Sequence, residues 1–392
     1  MGAKGPTSSS RPAPAGVSAF RLQGHSLSPR APRGSLVEVA GRACGIQAQF
    51  LPMARLALWA RVAGLAPGDV DRALFEERTL VRTWAMRGTL HLLPTRELPI
   101  YVEAMREHRL RGNLQWLERS MGLRPDDVRS IVDAILEELE EGPLTREELA
   151  DRVTGRLGPR ARPSVEHSWG GVIRVASVEG LVCYGPERGR SVTFTRCDRW
   201  LRGGGTPTPE EAQDALLRRY LHAYGPATSR DFATWSALPA GVAKAALSRA
   251  AGDVAEVDAC GVGAFALRED LPALRAPRRR VRPRVSLLPS FDPYLLGHRD
   301  KGHLVDAARY KQVFRKAGWL SPVVLVDGRC EGVWSHERAG REGFAVAVEP
   351  FGRMGPAVRA GVEGEAARLG RFLGGGAEVA YATGGARGAR GA

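Results

Sequence analysis

Apolar residues recur at helical spacing from Leu36 to Ala43 and again from Pro52 to Val62, where Leu56, Leu58 and Trp59 fall on a core-facing side. Gly45, just beyond the first run, suits a helix C-terminus. Between the two predicted helices stand two amides, Gln47 and Gln49. A spacing of two brings both to one side only on extended backbone, because on a helix they would lie roughly 200° apart. A joint role therefore demands extended or irregular chain there. After a turn at 64–69 a third helical stretch leads to 79–94, whose Thr, Val and Trp content and closing run Leu-His-Leu-Leu-Pro predict paired strands. Helices followed by a two-stranded wing describe a winged helix.

Two later stretches repeat that grammar. Gly142-Pro143-Leu144-Thr145 and Gly225-Pro226-Ala227-Thr228 share Gly-Pro-x-Thr at a separation of 83 residues, and each runs into a helix. Thr145 and Glu148 have capping-box spacing. An amphipathic helix precedes each (126–141 and 210–224). Another helix and a predicted hairpin follow, at 181–194 with its turn at Pro186–Gly189, and at 254–267 with its turn at Gly261–Gly263. Helix–turn–helix pieces are common packing units without any DNA contact, but three in tandem in a basic chain favour a binding use. Beyond a basic linker at 276–284, residues 285–380 change to short β-rich runs, with a hairpin turn at Asp327–Gly328 and one helix from Pro356 to Leu373. The expected fold is α+β: winged helices over 35–123, 124–203 and 204–284, then over 285–380 a small β-barrel or sheet with one helix packed on it. Residues 1–34, rich in Pro, Ser, Gly and Arg, read as a disordered basic arm, and 381–392 as a flexible tail. Trp59, Trp84, Trp169 and Trp235 sit at apolar positions and are expected in the core.

Charge and cysteines narrow the function. The chain of 392 residues carries 57 basic against 43 acidic side chains, a formal charge of +14, which favours a polyanionic partner. Arg far outnumbers Lys, and Arg makes bidentate phosphate contacts that Lys cannot. Cys44, Cys183, Cys197, Cys260 and Cys330 form no CxxC and pair with no nearby His, so no metal is expected and reduced thiols in a cytoplasmic protein are. No apolar stretch is long enough to span a membrane, and the N-terminus has no secretory apolar run. With no P-loop, GxSxG, HExxH or dinucleotide fingerprint, no cofactor is expected.

Three segments together carry a resemblance: Gly-Ile-Gln-Ala-Gln at 45–49, Arg-Thr-Trp-Ala-Met-Arg-Gly-Thr-Leu-His-Leu-Leu-Pro at 82–94, and Leu-Leu-Pro-Ser-Phe-Asp-Pro-Tyr-Leu-Leu-Gly-His-Arg-Asp-Lys at 287–301. Over roughly 35–380 the chain resembles the winged-helix DNA glycosylase family of AlkZ and YcaQ. The resemblance implies tandem winged helices curled into a C shape, a C-terminal β-barrel, and a monomer acting on double-stranded DNA. It implies excision of N7-alkylated purines, including interstrand crosslinks, in DNA repair or antibiotic self-resistance. It also implies a catalytic Gln-apolar-Gln motif, here Gln47-Ala48-Gln49, of the AlkZ branch.

The chemistry suits two amides. Alkylation at N7 makes the base cationic, so it departs neutral with little acid catalysis. What remains is to hold a water under C1′ beside an oxocarbenium-like sugar, which a glutamine's C=O and NH₂ can do. A glutamine near a helix end is also a common capping or surface residue. Candidate DNA contacts are Arg82, Arg87, Thr89 and His91, the hairpin residues Arg188 and Arg190, and Arg299 and Lys301. His91 lacks a carboxylate partner identifiable in the sequence, and Asp292 is expected to brace the fold. The competing reading is a non-catalytic winged-helix transcriptional regulator, for which the glutamines would be dispensable.

Overall fold

The computed structural model describes residues 14–200, 205–259, 261–276, 282–340 and 343–382 of an α+β protein. In the first unit the helices Leu36–Arg42 and Leu51–Arg61 flank a two-residue strand, β1 (Ile46–Gln47). Cys44 takes the left-handed conformation that ends the first helix (φ 54°), and Gly45 follows at φ 89°. A Cβ on Gly45 would lie 2.7 Å from Leu93 Cδ2, so only glycine lets the chain turn against the sheet there. The expected third helical stretch is a short helix over 69–76, α-helical at Asp69–Asp71 and π-helical at Arg72–Glu76, and β2 (Leu80–Trp84) and β3 (Leu90–Pro94) form the predicted strand pair.

The second unit stacks helices Pro125–Glu138, Arg146–Leu157 and Gly171–Val178, with the two-residue β4 (Leu144–Thr145), before the hairpin β5 (Val182–Arg188) and β6 (Ser191–Arg196). The third has helices Pro209–Tyr224, Ser229–Ser236 and Ala240–Arg249 before β7 (Val254–Ala259) and β8 (Val262–Leu267). Both Gly-Pro-x-Thr stretches end in complete capping boxes. Thr145 Oγ1 accepts from Glu148 N–H at 3.3 Å and Thr228 Oγ1 from Asp231 N–H at 3.1 Å, with each acid reaching back to the cap N–H. The β5–β6 turn falls at Gly189 (φ 61°) and Arg190, later than the expected Pro186–Gly189, because strand pairing continues to Arg188 opposite Ser191. The first two units share a sheet in the order β1-β3-β2-β5-β6-β4, joined where Arg82 pairs with Tyr184.

The C-terminal region corrects the expected barrel. It is an open five-stranded sheet in the order β13-β12-β11-β10-β9: β9 (Val285–Leu288), β10 (Val323–Val326), β11 (Arg329–Ala339), β12 (Gly343–Pro350) and β13 (Gly376–Tyr381). The β10–β11 turn has Asp327 at φ 50° and Gly328 at φ 91°, as an Asp-Gly hairpin requires. The sheet does not close because the helix Pro356–Leu373 returns the chain so that β13 runs parallel to β12, and that helix packs across β9 and β13. Contact is close enough that a Cβ on Gly361 would meet Val285 Cγ2 at 2.5 Å.

Two further expectations fail. The N-terminal arm is a helix from Pro14 to Gly24 in its described part, burying Val17, Phe20 and Leu22. Its Arg21 donates to the carbonyls of Tyr224, Gly225 and Pro226. The apolar positions in Val17-Ser18-Ala19-Phe20-Arg21-Leu22 supply the anchor that overall composition concealed. Residues 1–13, most of the linker (277–281) and most of the tail (383–392) lie outside the described residues. Trp59, Trp84 and Trp235 are buried, but Trp169 is 72% exposed, since Gly170 (φ 104°) and Gly171 (φ 46°) bend the chain away from the core immediately after it.

Candidate active site

Extended backbone holds Gln47, and Gln49 follows two residues on in a bend. Gln47 lies opposite His91 in the β1–β3 ladder, and Ala48 N–H continues it by donating to Leu90 O at 2.7 Å. Ile46 and Ala48 are fully buried on one side, and the alternation leaves Gln47 and Gln49 on the other. Beyond the strand the Gln49 side chain takes over the pairing: its Oε1 accepts a long bond, 3.5 Å, from Leu90 N–H. Arg82 fixes the connection from behind, with Nε donating to Ala48 O at 3.1 Å and Nη2 to Gln49 O at 3.4 Å.

Arg87 is the hub in front. It sits at φ 56° in the tight turn between β2 and β3, and its Nη2 donates to Gln47 Oε1 at 3.0 Å. Its Nη1 donates to Trp235 O of the third unit at 3.0 Å, and Nη2 stands 3.4 Å from His91 Nε2. His91 Nδ1 is 3.0 Å from Thr89 O, so that nitrogen carries the proton and Nε2 accepts. Burial, and then Arg87, hold the His91 pKa well below its ordinary value, so the ring is neutral near pH 7. Among the described residues no carboxylate bonds to Gln47, Gln49 or His91. The site can therefore orient a water by amide groups.

Sequence reading missed two members of this site. Arg109 and Arg174, on the packed helices Leu98–Met121 and Gly171–Val178, are close enough to Arg87 for their charges to act on one another. Arg109 Nη2 and Arg174 Nε are enclosed without a hydrogen-bond partner, and a Cβ on Gly88 would lie 2.3 Å from Arg174 Nη2. Burial, then Arg174, then Arg87, push Arg109 down to about 9; burial pushes Arg87 down to about 10. Neither residue lies in a distinctive motif, and only tertiary packing brings them to Gln47.

This geometry agrees with the comparisons to known proteins. The family model described as DNA glycosylase AlkZ-like matches residues 40–372. The chain belongs to the AlkZ-like DNA glycosylase family. A curated relative from Streptomyces sahachiroi, named as an interstrand DNA cross-link repair glycosylase, is 36% identical over 372 residues, covering 91% of this chain and 96% of the relative. The solved Streptomyces sahachiroi DNA glycosylase AlkZ is similar with a TM-score of 0.82 and 32% identity, covering 95% of this chain and all of that one. This AlkZ-like protein is accordingly a DNA glycosylase, a hydrolase of N-glycosyl bonds, and the regulator reading falls.

The remaining candidates are dispersed around the AlkZ-like centre. Arg82 is buried, stacked 4.7 Å from the Tyr184 ring and 3.6 Å from Glu187 Oε1, so its contacts are internal. Thr89 Oγ1 donates to Met86 O at 3.1 Å and closes the Arg87 turn. Arg188 reaches Glu148 Oε1 at 2.8 Å, whereas Arg190 is exposed at the hairpin tip. Arg299 is exposed, and its backbone N–H donates to Asp231 Oδ1. Lys301 donates Nζ to Leu295 O at 2.9 Å and to His298 O, lies over the Phe314 ring, and is pushed down to about 8 by burial, then Arg87. Asp292 braces the fold as expected, in a fully buried bidentate pair with Arg61. A cavity of about 780 Å³ lies elsewhere, lined by Arg21, Asp231, His298 and Arg329, and contains neither glutamine. Among the described residues no His, Cys, Asp or Glu cluster could hold a metal, and no helix is long and apolar enough to cross a membrane.

Proposed function

We propose that the protein excises N7-alkylated purines from double-stranded DNA, with bulky guanine adducts and interstrand crosslinks as its substrates. The observation that carries this reading is the pair Gln47, in the strand, and Gln49, in the bend just after it, with Arg87 holding the Gln47 amide by its oxygen. Water held by the two amides attacks C1′ as the C1′–N9 bond breaks. The bonding pair returns to the cationic purine, which leaves neutral, and the water's proton passes to solvent. A reaction this far activated by its lesion needs no carboxylate, and undamaged DNA, lacking that activation, is spared.

The three helix-and-hairpin units serve as winged helices around the duplex in a C-shaped arrangement, and the enzyme is monofunctional. Arg87, Arg109 and Arg174 cradle backbone phosphates beside the lesion. Three guanidiniums without a carboxylate would repel both the cationic base and an oxocarbenium-like sugar unless phosphodiesters neutralised them. Similarity to a cross-link repair glycosylase supports crosslink unhooking, in which water must reach C1′ without full extrusion of the tethered base. Alkaline cleavage of duplexes carrying one defined N7-guanine adduct tests the reading: the wild type should release the base. Gln47→Ala and Gln49→Ala should each slow release by about 100-fold or more with DNA binding retained, on the scale of losing a positioned catalytic dipole. Wild-type excision by the double variant would remove the amides from the mechanism.

A further inference from the structure

Immediately beyond Gln49, three aromatic side chains from separate parts of the chain meet at the surface. Phe50 and Phe291 are stacked with ring centres 6.0 Å apart; Trp319 meets Phe50 edge-on at 5.6 Å and Phe291 at 5.1 Å. Phe50 is 45% exposed and Trp319 46%, and rings exposed in mutual contact form a contiguous apolar patch of the kind that marks an interaction site, which a lone exposed ring does not.

The backbone works to hold them there. Phe291 has φ 61°, a conformation unfavourable for a bulky residue, and its neighbour Asp292 is locked by the buried pair with Arg61. Trp319 follows Ala317 (φ 56°) and Gly318 (φ 75°) in a tight turn closed by Arg315 N–H to Trp319 O at 2.8 Å. Arg315 and Lys316 of that turn, and Lys311 on the short helix Tyr310–Val313 before it, are exposed, and none makes an ion pair among the described residues. A cationic rim fits an occupant carried on a polyanion better than an apolar protein face. The cluster itself offers ring faces and one indole N–H, whereas a pocket that reads a nucleobase presents hydrogen-bonding groups to its polar edge.

The geometry points to a stacking platform, made by Phe50, Phe291 and Trp319, for the planar polycyclic aryl group of a bulky N7-guanine adduct whose C1′ lies at the glutamine pair. This rests on the excision activity proposed above and adds selectivity to it: the platform holds the part of the lesion that simple methylation lacks.

Single-turnover excision by Trp319→Ala should be measured on two otherwise identical duplexes, one with N7-methylguanine and one with a polycyclic-aryl N7-guanine adduct. The variant should lose about tenfold on the aryl adduct, the scale of one aromatic stacking contact, and stay within about twofold of wild type on the methyl lesion. Trp319→Phe should recover most of the loss. Trp319→Tyr and wild type should also differ in intrinsic fluorescence quenching on aryl-adduct DNA and not on methyl-adduct DNA. Equal loss on both substrates, or no loss on the aryl adduct, would overturn the platform while leaving excision intact. If Trp319→Ala instead converts a dimer to a monomer in light scattering, the rings belong to a contact between copies and the proposal fails. Absence of wild-type excision on both duplexes would remove the parent reading and the platform with it.

Discussion

Arg61 and the Arg87–Arg109–Arg174 group are both withdrawn from solvent, yet they are treated in opposite ways. Arg61 is fully buried and meets Asp292 through two 2.7 Å bonds, with Nη1 also donating to Ala57 O. Among the described residues the three arginines of that group bond to no carboxylate; enclosed nitrogens without a partner occur on both sides, at Arg61 Nε as at Arg109 Nη2 and Arg174 Nε, so the matched acid is what separates the two cases. A buried cation with a matched acid holds segments together, here the Leu51–Arg61 helix and the third sequence motif. Cations gathered without acids cost stability, and a bound anion would relieve that cost.

The largest expected effect is on the paired side. Asp292→Ala leaves the Arg61 charge buried alone and should lower unfolding free energy by about 3–5 kcal/mol, read by urea denaturation. Arg109→Met should behave differently: stability unchanged or raised, because it removes a repelling charge. A loss as large as that of Asp292→Ala would erase the contrast. On DNA the order reverses. Arg109→Gln and Arg174→Gln should each weaken duplex binding by about tenfold, while the wild-type slope of log K against log salt, roughly −4 to −5 if about five phosphates are neutralised, becomes shallower by about 1 in each variant. A slope unchanged in both would separate these arginines from phosphate.

A further effect, smaller for each single group, concerns pH. Burial holds His25, His91 and His298 below their ordinary pKa. As pH falls below about 6.5 the unfolded chain takes up these protons first, so the stability from keeping the rings neutral is complete above that value and is lost toward acid. The decline should be at most about 1.4 kcal/mol per pH unit for each ring. Thermal midpoints should drop between pH 7 and 5, and excision should show no titration of His91 between pH 7 and 8. A rate that climbs steeply through that interval would require a general base that the amide site does not contain.

Local signals were legible and long-range ones were not. The need for extended or irregular backbone at Gln47 and Gln49, the capping box at Thr145, the Asp327–Gly328 turn and the Pro356–Leu373 helix all follow from rules that act within a few residues. The expected barrel failed because closure depends on which strands meet, and β13 pairs parallel to β12 only after the intervening helix has chosen its face. The N-terminal helix was missed because six residues of apolar pattern were averaged into a polar segment. Arg109 and Arg174 were invisible for a related reason: a lone arginine on a helix is normally solvated, and only the packing of three elements removes its partners. The same limit hid the Phe50, Phe291 and Trp319 cluster, in which the rings come from positions far apart in the chain.

The join between β2 and β5 gives the strand that carries Gln47 a mechanical property. β1 is the outermost strand of a single ladder that passes through β3 and β2 into the hairpin of the next unit, and Arg82 rivets the seam by gripping the Ala48 and Gln49 carbonyls while stacked on Tyr184. A displacement of the hairpin is carried to the segment holding both amides through this ladder and through Arg82. The amides and the hairpin of the next unit are thereby tied into one frame, and neither shifts without the other.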